Sequence, residues 1–212
     1  MKEIFSAIRS STLGITLFAI VTAGLIAITQ VSTEDLIIKN EREARARALY
    51  EIIPRDRIDN EMLDDRVAFV APELLGHGQP TDAYRARRNG QVVAVIMPVI
   101  APDGYSGAIN LIVGINRNGT IAGVRVLSHK ETPGLGDKVD LKKSDWILSF
   151  NGQSRDGEQD KSWAVQKDGG RFDQFTGATI TPRAVVSATG RALAYFDLNK
   201  VALLGSSTGE TN

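Results

Sequence analysis

The apolar and polar residues of this chain follow three successive patterns, and each predicts a different kind of element. The first pattern is the uncharged stretch from Thr12 to Val31. At a rise of about 1.5 Å per residue, a helix over this stretch matches the hydrocarbon thickness of a bilayer. Its apolar core is longer than that of a secretory signal, and Ile28-Thr29-Gln30-Val31 is a poor cleavage site. We therefore expect a retained membrane anchor within residues 1–32 rather than a cleaved signal peptide.

The charged residues on either side of this stretch predict its orientation. Lys2 and Arg9 precede it, whereas Glu34 and Asp35 follow it. Because basic residues favour the cytoplasmic side of a membrane, we expect the N-terminus in the cytoplasm and the rest of the chain outside it.

The second pattern consists of charged residues at helical spacing, and it predicts a second helix. Ser32 or Thr33 can cap the start of this helix, and Pro54 ends it because proline cannot continue a helix. The charges indicate a solvated surface. We interpret residues 33–60 as a stalk that continues the anchor out of the bilayer.

The third pattern alternates between apolar and polar positions and predicts an antiparallel sheet. Strand-like segments flank Asn89-Gly90 and Asn118-Gly119, and Asn-Gly favours the tight turn of a β-hairpin. Two hairpins in succession predict four strands with one covered face. A last apolar-periodic run predicts a helix over Pro182–Phe196. The fold class is therefore α+β, with a domain over residues 61–204 and a flexible polar tail over residues 205–212.

Two shorter elements are expected between the sheet and the last helix. Ser144 can cap a short helix that includes Trp146, and residues 163–165 can add a strand. Trp146 and Trp163 are expected to belong to the core rather than to stack on a cofactor.

Composition and charge exclude several classes of function. The chain is 42% hydrophobic and 24% charged with a net charge of zero, so a packed core is expected and a nucleic-acid partner is not. Cysteine is absent, which excludes disulfides and cysteine-bound zinc or iron–sulfur clusters. His77 and His129 are far apart without other ligands nearby, so we expect no metal site.

The first candidate for chemistry is the hydroxyl-rich stretch from Phe172 to Pro182. Thr181 followed by Pro182 is typical of a helix N-cap and first helical residue, and a helix N-terminus favours a phosphate. The small residues Gly177 and Ala178 leave Thr179 open to a modifying enzyme. We interpret Thr179 as the residue that holds a phosphate group covalently. The alternative is an ordinary Ser/Thr-rich turn that only caps a helix.

The second candidate is the loop that follows the last predicted strand, residues 129–138. Gly134 and Gly136 flank Leu135, which allows the backbone to approach a flat ligand while Leu135 offers an apolar surface. The alternative is a tight turn without a ligand.

The stretch Asp173-Gln174-Phe175-Thr176-Gly177-Ala178-Thr179 resembles the D-x-x-[ST]-G-A-T signature of proteins that carry FMN through a phosphoester. The whole chain resembles the G subunits of the Rnf/Rsx ion-translocating electron transport complexes. The similarity covers most of residues 10–196 and includes the anchor, residues 101–108 and residues 131–138.

This resemblance implies which residues contact the cofactor. Thr179 would be the attachment point, and a flavin transferase would install FMN there after recognising the signature. Direct contact between Asp173 and a phosphate would be repulsive, so Asp173 is assigned to a turn, a cap or recognition by the transferase. The remaining implied contacts are Thr176, Gly177 and Ala178 at the phosphate and Glu131, Thr132 and Leu135 along the ribityl chain or ring.

The resemblance also implies a function in a larger assembly. The chain would relay electrons between the other members of a ferredoxin/NAD oxidoreductase complex that moves ions, a translocase in which this chain alone is not catalytic. It would be a single-pass protein of the bacterial inner membrane with a periplasmic main domain. Two alternatives stay open: the homologous C subunit of the sodium-translocating NADH:quinone reductase, and a tethered structural or assembly module without a cofactor.

Overall fold

The computed structural model describes residues 2–157 and 160–205, so most of the predicted tail lies outside the described residues. The chain divides into two compact units, Met1–Arg45 and Ala46–Asn212. Each unit is described by itself below.

The first unit is formed by helix α1 (Lys2–Ile52), whose last turns belong to the second unit. The segment Thr12–Glu34 has a mean hydropathy of 2.1 and is long and apolar enough to cross a membrane. The prediction that a second helix starts at a cap on Ser32 or Thr33 is wrong. The Thr33 hydroxyl donates to the Thr29 carbonyl one turn earlier, 2.8 Å away, so it bonds within a continuous helix instead of capping a new one.

Helix α1 ends at Ile52, two residues before Pro54. Its last turn does not belong to a solvated stalk reaching residue 60. Leu49, Ile52 and Ile53 are buried because they cover one face of the sheet. The residues that complete this smaller core are Met62, Tyr84, Ala86, Ala94, Ile96 and Ile112. The domain therefore begins near Ala46 rather than at residue 61.

The sheet of the second unit has five antiparallel strands in chain order. The strands are β1 (Arg66–Ala71), β2 (His77–Arg88), β3 (Gln91–Ala101), β4 (Ile109–Asn116) and β5 (Ile121–Ser128). Both predicted hairpins are confirmed. Asn89 and Gly90 have φ of 52° and 75°, the positive values that an Asn-Gly hairpin turn requires. Strand β1 was not predicted.

The other face of the sheet is covered by helix α3 (Ile180–Leu204), while the short helix α2 (Pro72–Leu75) joins β1 to β2. The predicted apolar side of the last helix is confirmed, with Val185, Leu193 and Phe196 all buried. The helix is longer than predicted at its C-terminal end. Arg85 donates to the carbonyls of Ala202 and Leu203 at 2.9 and 2.7 Å, which satisfies acceptors that the helix end leaves free.

Between β5 and α3, leaving residues 158–159 aside, the chain forms three short 3₁₀ helices, Gly136–Val139, Asp145–Phe150 and Gln166–Asp168. The predicted cap is confirmed, since the Ser144 hydroxyl accepts a hydrogen bond from Trp146 N–H. The predicted strand at residues 163–165 is wrong. Within this stretch Val165 forms only an isolated parallel bridge with Phe172, and no ladder extends from it.

Within the second unit, the packing of Ile52, in the last turn of α1, on the sheet depends on two glycines that face each other across β4 and β5. A Cβ at Gly114 would lie 2.5 Å from the Ile52 Cγ2 methyl, and one at Gly123 would lie 3.2 Å from it. We expect Gly114→Ala to destabilise the full-length protein by about 1–3 kcal/mol through overpacking. Gly123→Ala is the milder comparison. Thermal unfolding in detergent measures both variants.

An Ile52→Ala background provides the matched control for this prediction. In that background the methyl group that Gly114→Ala would strike is gone, so the added methyl is expected to be neutral or stabilising. An equal loss in both backgrounds would contradict the proposed contact.

Candidate functional site

A cavity of about 340 Å³ opens beside the N-terminus of α3. Pockets for small ligands and cofactors commonly have volumes of about 300–1,000 Å³. Three segments of the second unit form its wall: the loop between β3 and β4, the loop after β5, and the turn that enters α3. The lining residues are Tyr105, Glu131, Thr132, Leu135, Gly136, Gly177, Ala178, Thr179, Ile180 and Thr181.

The turn that enters α3 is closed by a hydrogen bond from Ala178 N–H to the Phe175 carbonyl, 3.1 Å long. Gly177 is its third residue and has a φ of 83°, a value that glycine adopts without the strain of a side chain. This geometry places Thr179 directly after the turn and directly before the helix.

Helix α3 begins one residue after Thr179, and the predicted cap at Thr181 is wrong. Thr179 occupies the N-cap position but makes no side-chain capping bond, whereas Thr181 and Pro182 are the second and third helical residues. Proline is tolerated there because the first backbone N–H groups of a helix have no intrahelical acceptor. The N–H groups of Ile180 and Thr181 therefore lie beside Thr179 at the positive end of the helix dipole.

A cluster of aromatic side chains packs against this turn and against the residues that precede it. Trp146 packs edge-on against Phe175 at 5.1 Å between ring centroids, and its Nε1 donates to the Asp173 carbonyl at 2.8 Å. Phe150 stacks on Phe172 at 4.6 Å and on Trp163 at 6.2 Å. The prediction is confirmed for Trp163, which belongs to the buried core, whereas Trp146 is half-buried and packs against that core.

An ion pair joins the segment that contains the 3₁₀ helix Gln166–Asp168 to the first turn of α3. Arg183 donates two hydrogen bonds to the Asp168 carboxylate, at 2.6 and 2.8 Å. This contact lowers the pKa of Asp168 and raises the pKa of Arg183. Both side chains are well solvated, so the pair orders this segment more than it stabilises the fold.

The opposite wall of the cavity contains a buried carboxylate. Glu131 accepts a hydrogen bond from Ser106 N–H at 2.9 Å and another from the Thr181 hydroxyl. Gly136 passes close by, since a Cβ there would lie 2.8 Å from Thr181 Oγ1. The mouth of the cavity is apolar, because three large apolar side chains of the lining are exposed there. They are Tyr105, Leu135 and Ile180, which are 68%, 42% and 44% exposed.

The cavity brings together most of the residues that the sequence singled out. Six of them line it, namely Glu131, Thr132, Leu135, Gly177, Ala178 and Thr179. Thr176 belongs to the turn and Asp173 lies two residues before it, and both are exposed outside the lining. Gly136 was singled out together with Leu135, and Ile180 and Thr181 lie within the candidate stretch Phe172–Pro182, although neither was assigned a contact. Tyr105 belongs to neither candidate stretch. Tyr105 lies within residues 101–108, which carried part of the resemblance, so that stretch was the available signal.

The arrangement suits a flat cofactor with a phosphate end. The α3 N-terminus offers two free N–H groups to an anion, and Thr179 offers a hydroxyl at the same point. The apolar mouth and the closely packed glycines offer a surface for a ring. Within residues 2–157 and 160–205, no three His, Asp or Glu side chains are grouped so that they could hold a metal ion.

Comparison with family models gives two matches. The model of the FMN-binding domain matches residues 104–194, and the model of the RnfG N-terminal region matches residues 1–52. The first match includes both loops of the cavity.

Several curated proteins are similar over nearly the whole chain. A Pseudomonas aeruginosa protein, described as the G subunit of an ion-translocating oxidoreductase complex, is 55% identical over 89% of this chain and 88% of its own. Proteins of the same description from Pseudoalteromonas atlantica and Vibrio cholerae are 48% and 50% identical, over 98% and 90% of this chain and 95% and 90% of theirs.

One solved structure shares the fold. The crystal structure of Shewanella oneidensis NqrC aligns with a TM-score of 0.50 at 21% sequence identity. The alignment covers 68% of this chain and 75% of that one.

Proposed function

The chain belongs to the family of G subunits of ion-translocating oxidoreductase complexes, and we propose that it is a membrane-anchored electron carrier with FMN attached to Thr179. The observation that carries the proposal is the position of Thr179. It lies in the wall of the cavity, after an open turn and beside the free N–H groups of α3.

The residues present fit FMN in chemistry and in space. The N–H groups of Ile180 and Thr181 would hold the phosphate, where the helix dipole favours one negative charge by about 0.3–1 kcal/mol. Leu135 and Tyr105 would border the ring at the cavity mouth. When bound, FMN supplies the electron-transfer chemistry, and the protein supplies position and electrostatics.

The attachment itself is proposed as a transfer from FAD by a flavin transferase. The Thr179 oxygen forms a bond to the phosphorus of the FMN half, the bond to AMP breaks, and the hydroxyl proton leaves with AMP. Asp173 is exposed two residues before Phe175, and its carbonyl is held by Trp146, so its carboxylate is available for recognition by the transferase.

Mass spectrometry of the full-length protein tests this proposal. Protein purified from native membranes and then denatured should have gained the mass of FMN less one water. Peptide mapping should place that mass on the fragment that contains Thr179. A denatured protein without an adduct would favour a module that holds flavin only non-covalently or not at all.

The proposed electron route passes through other proteins of the complex. The relatives' description names a complex, and we propose that this chain relays electrons within a ferredoxin/NAD oxidoreductase that couples them to ion transport. The assignment as a quinone-reductase C subunit has less support, since NqrC shares the fold at 21% identity while the curated relatives are about half identical. Identification of the co-purifying proteins separates these assignments.

We propose further that Thr12–Glu34 anchors the chain in the inner membrane with the cavity on the periplasmic side. The absence of cysteine allows a clean test. Asn118→Cys places a single thiol in an exposed hairpin turn, and it should react with a membrane-impermeant maleimide in intact spheroplasts. Labelling only after lysis would contradict the proposed orientation.

A further inference from the structure

Glu131 lines the cavity, but both of its carboxylate oxygens are already used within the protein. Oε1 accepts from Ser106 N–H at 2.9 Å, and Oε2 accepts from the Thr181 hydroxyl. The residue is only 4% exposed. Little of this carboxylate is left for a cofactor, so its contribution to the site must act through the groups that it binds.

Those two groups belong to opposite sides of the cavity. Ser106 follows Tyr105 in the loop between β3 and β4, and Thr181 lies two residues after Thr179 in the first turn of α3. Glu131 itself follows β5. One buried side chain therefore connects the three segments that form the cavity wall.

Two glycines allow the carboxylate to reach both partners. A Cβ at Gly104 would lie 3.0 Å from Glu131 Oε1 and 2.2 Å from the Gly107 carbonyl. A Cβ at Gly136 would lie 3.0 Å from Glu131 Oε2 and 2.8 Å from Thr181 Oγ1. Any side chain at either glycine would push apart the atoms that the carboxylate joins.

The chemistry of the contacts makes the connection strong. Hydrogen bonds that end on a carboxylate are about twice as strong as neutral ones, and a negative charge at a helix N-terminus is favoured. Thr181 is only 1% exposed and Glu131 only 4%, so water does not easily replace either group in the hydrogen bond between them.

We propose that Glu131 is a positioning residue that joins the Tyr105 loop to the first turn of α3 and sets the place of Thr179 before flavin arrives. It does this as a hydrogen-bond acceptor, not as a cofactor ligand. The expected effect on flavin attachment rests on the proposed function. The connection between the two segments does not, and it is present in the apoprotein.

The test compares Glu131→Ala and Glu131→Gln in the full-length apoprotein, given FAD and the transferase. Glutamine keeps an oxygen for Ser106 N–H and an amide that can donate to the Thr181 hydroxyl. We expect Glu131→Ala to slow flavin attachment by about tenfold or more and to increase deuterium uptake in residues 102–108. Glu131→Gln keeps both hydrogen bonds but loses the charge that strengthens them, so it should lie between wild type and Glu131→Ala in both measurements and closer to wild type.

Two further variants keep the test decisive. Glu73→Ala removes an exposed carboxylate on α2 and should change neither measurement. Thr181→Val removes one of the two bonds without removing the carboxylate, and it should slow attachment even if Glu131→Ala fails to fold.

Two results would overturn the proposal. One is wild-type attachment and wild-type deuterium uptake in Glu131→Ala. The other is a Glu131→Gln protein as slow as Glu131→Ala, because that would assign the effect to charge. If the wild-type protein acquires no covalent flavin, the attachment proposal fails, while the deuterium exchange of residues 102–108 still tests the connection.

Discussion

Replacing Thr179 with valine should give a folded protein that carries no covalent flavin. Valine keeps the shape and branching of threonine but has no oxygen to bond to phosphorus. The Thr179 hydroxyl makes no capping bond to α3, so its loss should change stability by no more than about 0.5 kcal/mol. In-gel flavin fluorescence after full denaturation, on protein made together with the transferase, should fall to background.

Thr176→Val is the matched control for this experiment. Thr176 lies in the same turn and has the same side chain, but it is exposed and outside the cavity lining. Because Thr176 belongs to the signature that the transferase is proposed to recognise, Thr176→Val should lower the yield of adduct without abolishing it. Thr179→Ser, which restores a hydroxyl, should recover part of the adduct.

An adduct that persists in Thr179→Val and disappears in Thr176→Val would move the attachment site within the turn. An adduct that persists in both variants would remove the turn from consideration. Either result would leave the family membership intact, because that rests on the similarity of the whole chain.

The parts of the fold that were predictable depend on short-range chemistry. Asn89-Gly90 favours positive φ at two adjacent positions, so the hairpin could be predicted from the dipeptide and its flanking strands. Ser144 caps the helix that follows it for a similarly local reason. The apolar side of α3 follows from its helical period.

The errors arise where a local signal fits two structures equally well. Thr181 before Pro182 resembles an N-cap, but its hydroxyl bonds to Glu131, which lies 50 residues earlier in the chain. Thr33 also resembles a cap, but its hydroxyl bonds within a continuous helix. A sequence does not show which acceptor will be close in space.

The site was predictable to a different degree at each of its walls. Two of the three segments of the cavity wall, the loop after β5 and the turn that enters α3, were found from small residues and hydroxyls near Leu135 and Thr179. The resemblance suggested that they face one cofactor. The role of Glu131 was not accessible, because its partners Ser106 and Thr181 come from segments far apart in the chain. Tyr105 was overlooked because one exposed tyrosine has no pattern of its own.

Gly170 was also overlooked, although its replacement should have the largest effect on the fold. A Cβ at Gly170 would lie 1.9 Å from the Ala164 carbonyl oxygen and 2.2 Å from its carbon. These atoms are backbone, so no side-chain rotation can relieve the contact. The same segment is held by hydrogen bonds from Gly170 N–H to the Val165 carbonyl and from Phe172 N–H to the Ala164 carbonyl.

We expect Gly170→Ala to cost about 3 kcal/mol, the upper end of the usual range for overpacking. In a chain of this size that corresponds to a fall in melting temperature of about 6–12 °C. The displaced segment carries Phe172 and continues into the turn before Thr179, so flavin attachment should fall with stability. Thermal unfolding and in-gel flavin fluorescence on the same detergent-solubilised samples measure both effects.

Gly169→Ala is the control, because it changes the neighbouring glycine in the same segment. A Cβ at Gly169 meets no atom within 4 Å, but its φ of 85° strains any other residue. The left-handed conformation costs about 1–2 kcal/mol, so Gly169→Ala should lose less stability than Gly170→Ala. Equal losses of stability in Gly169→Ala and Gly170→Ala would mean that backbone conformation, and not the contact with Ala164, determines how this segment packs.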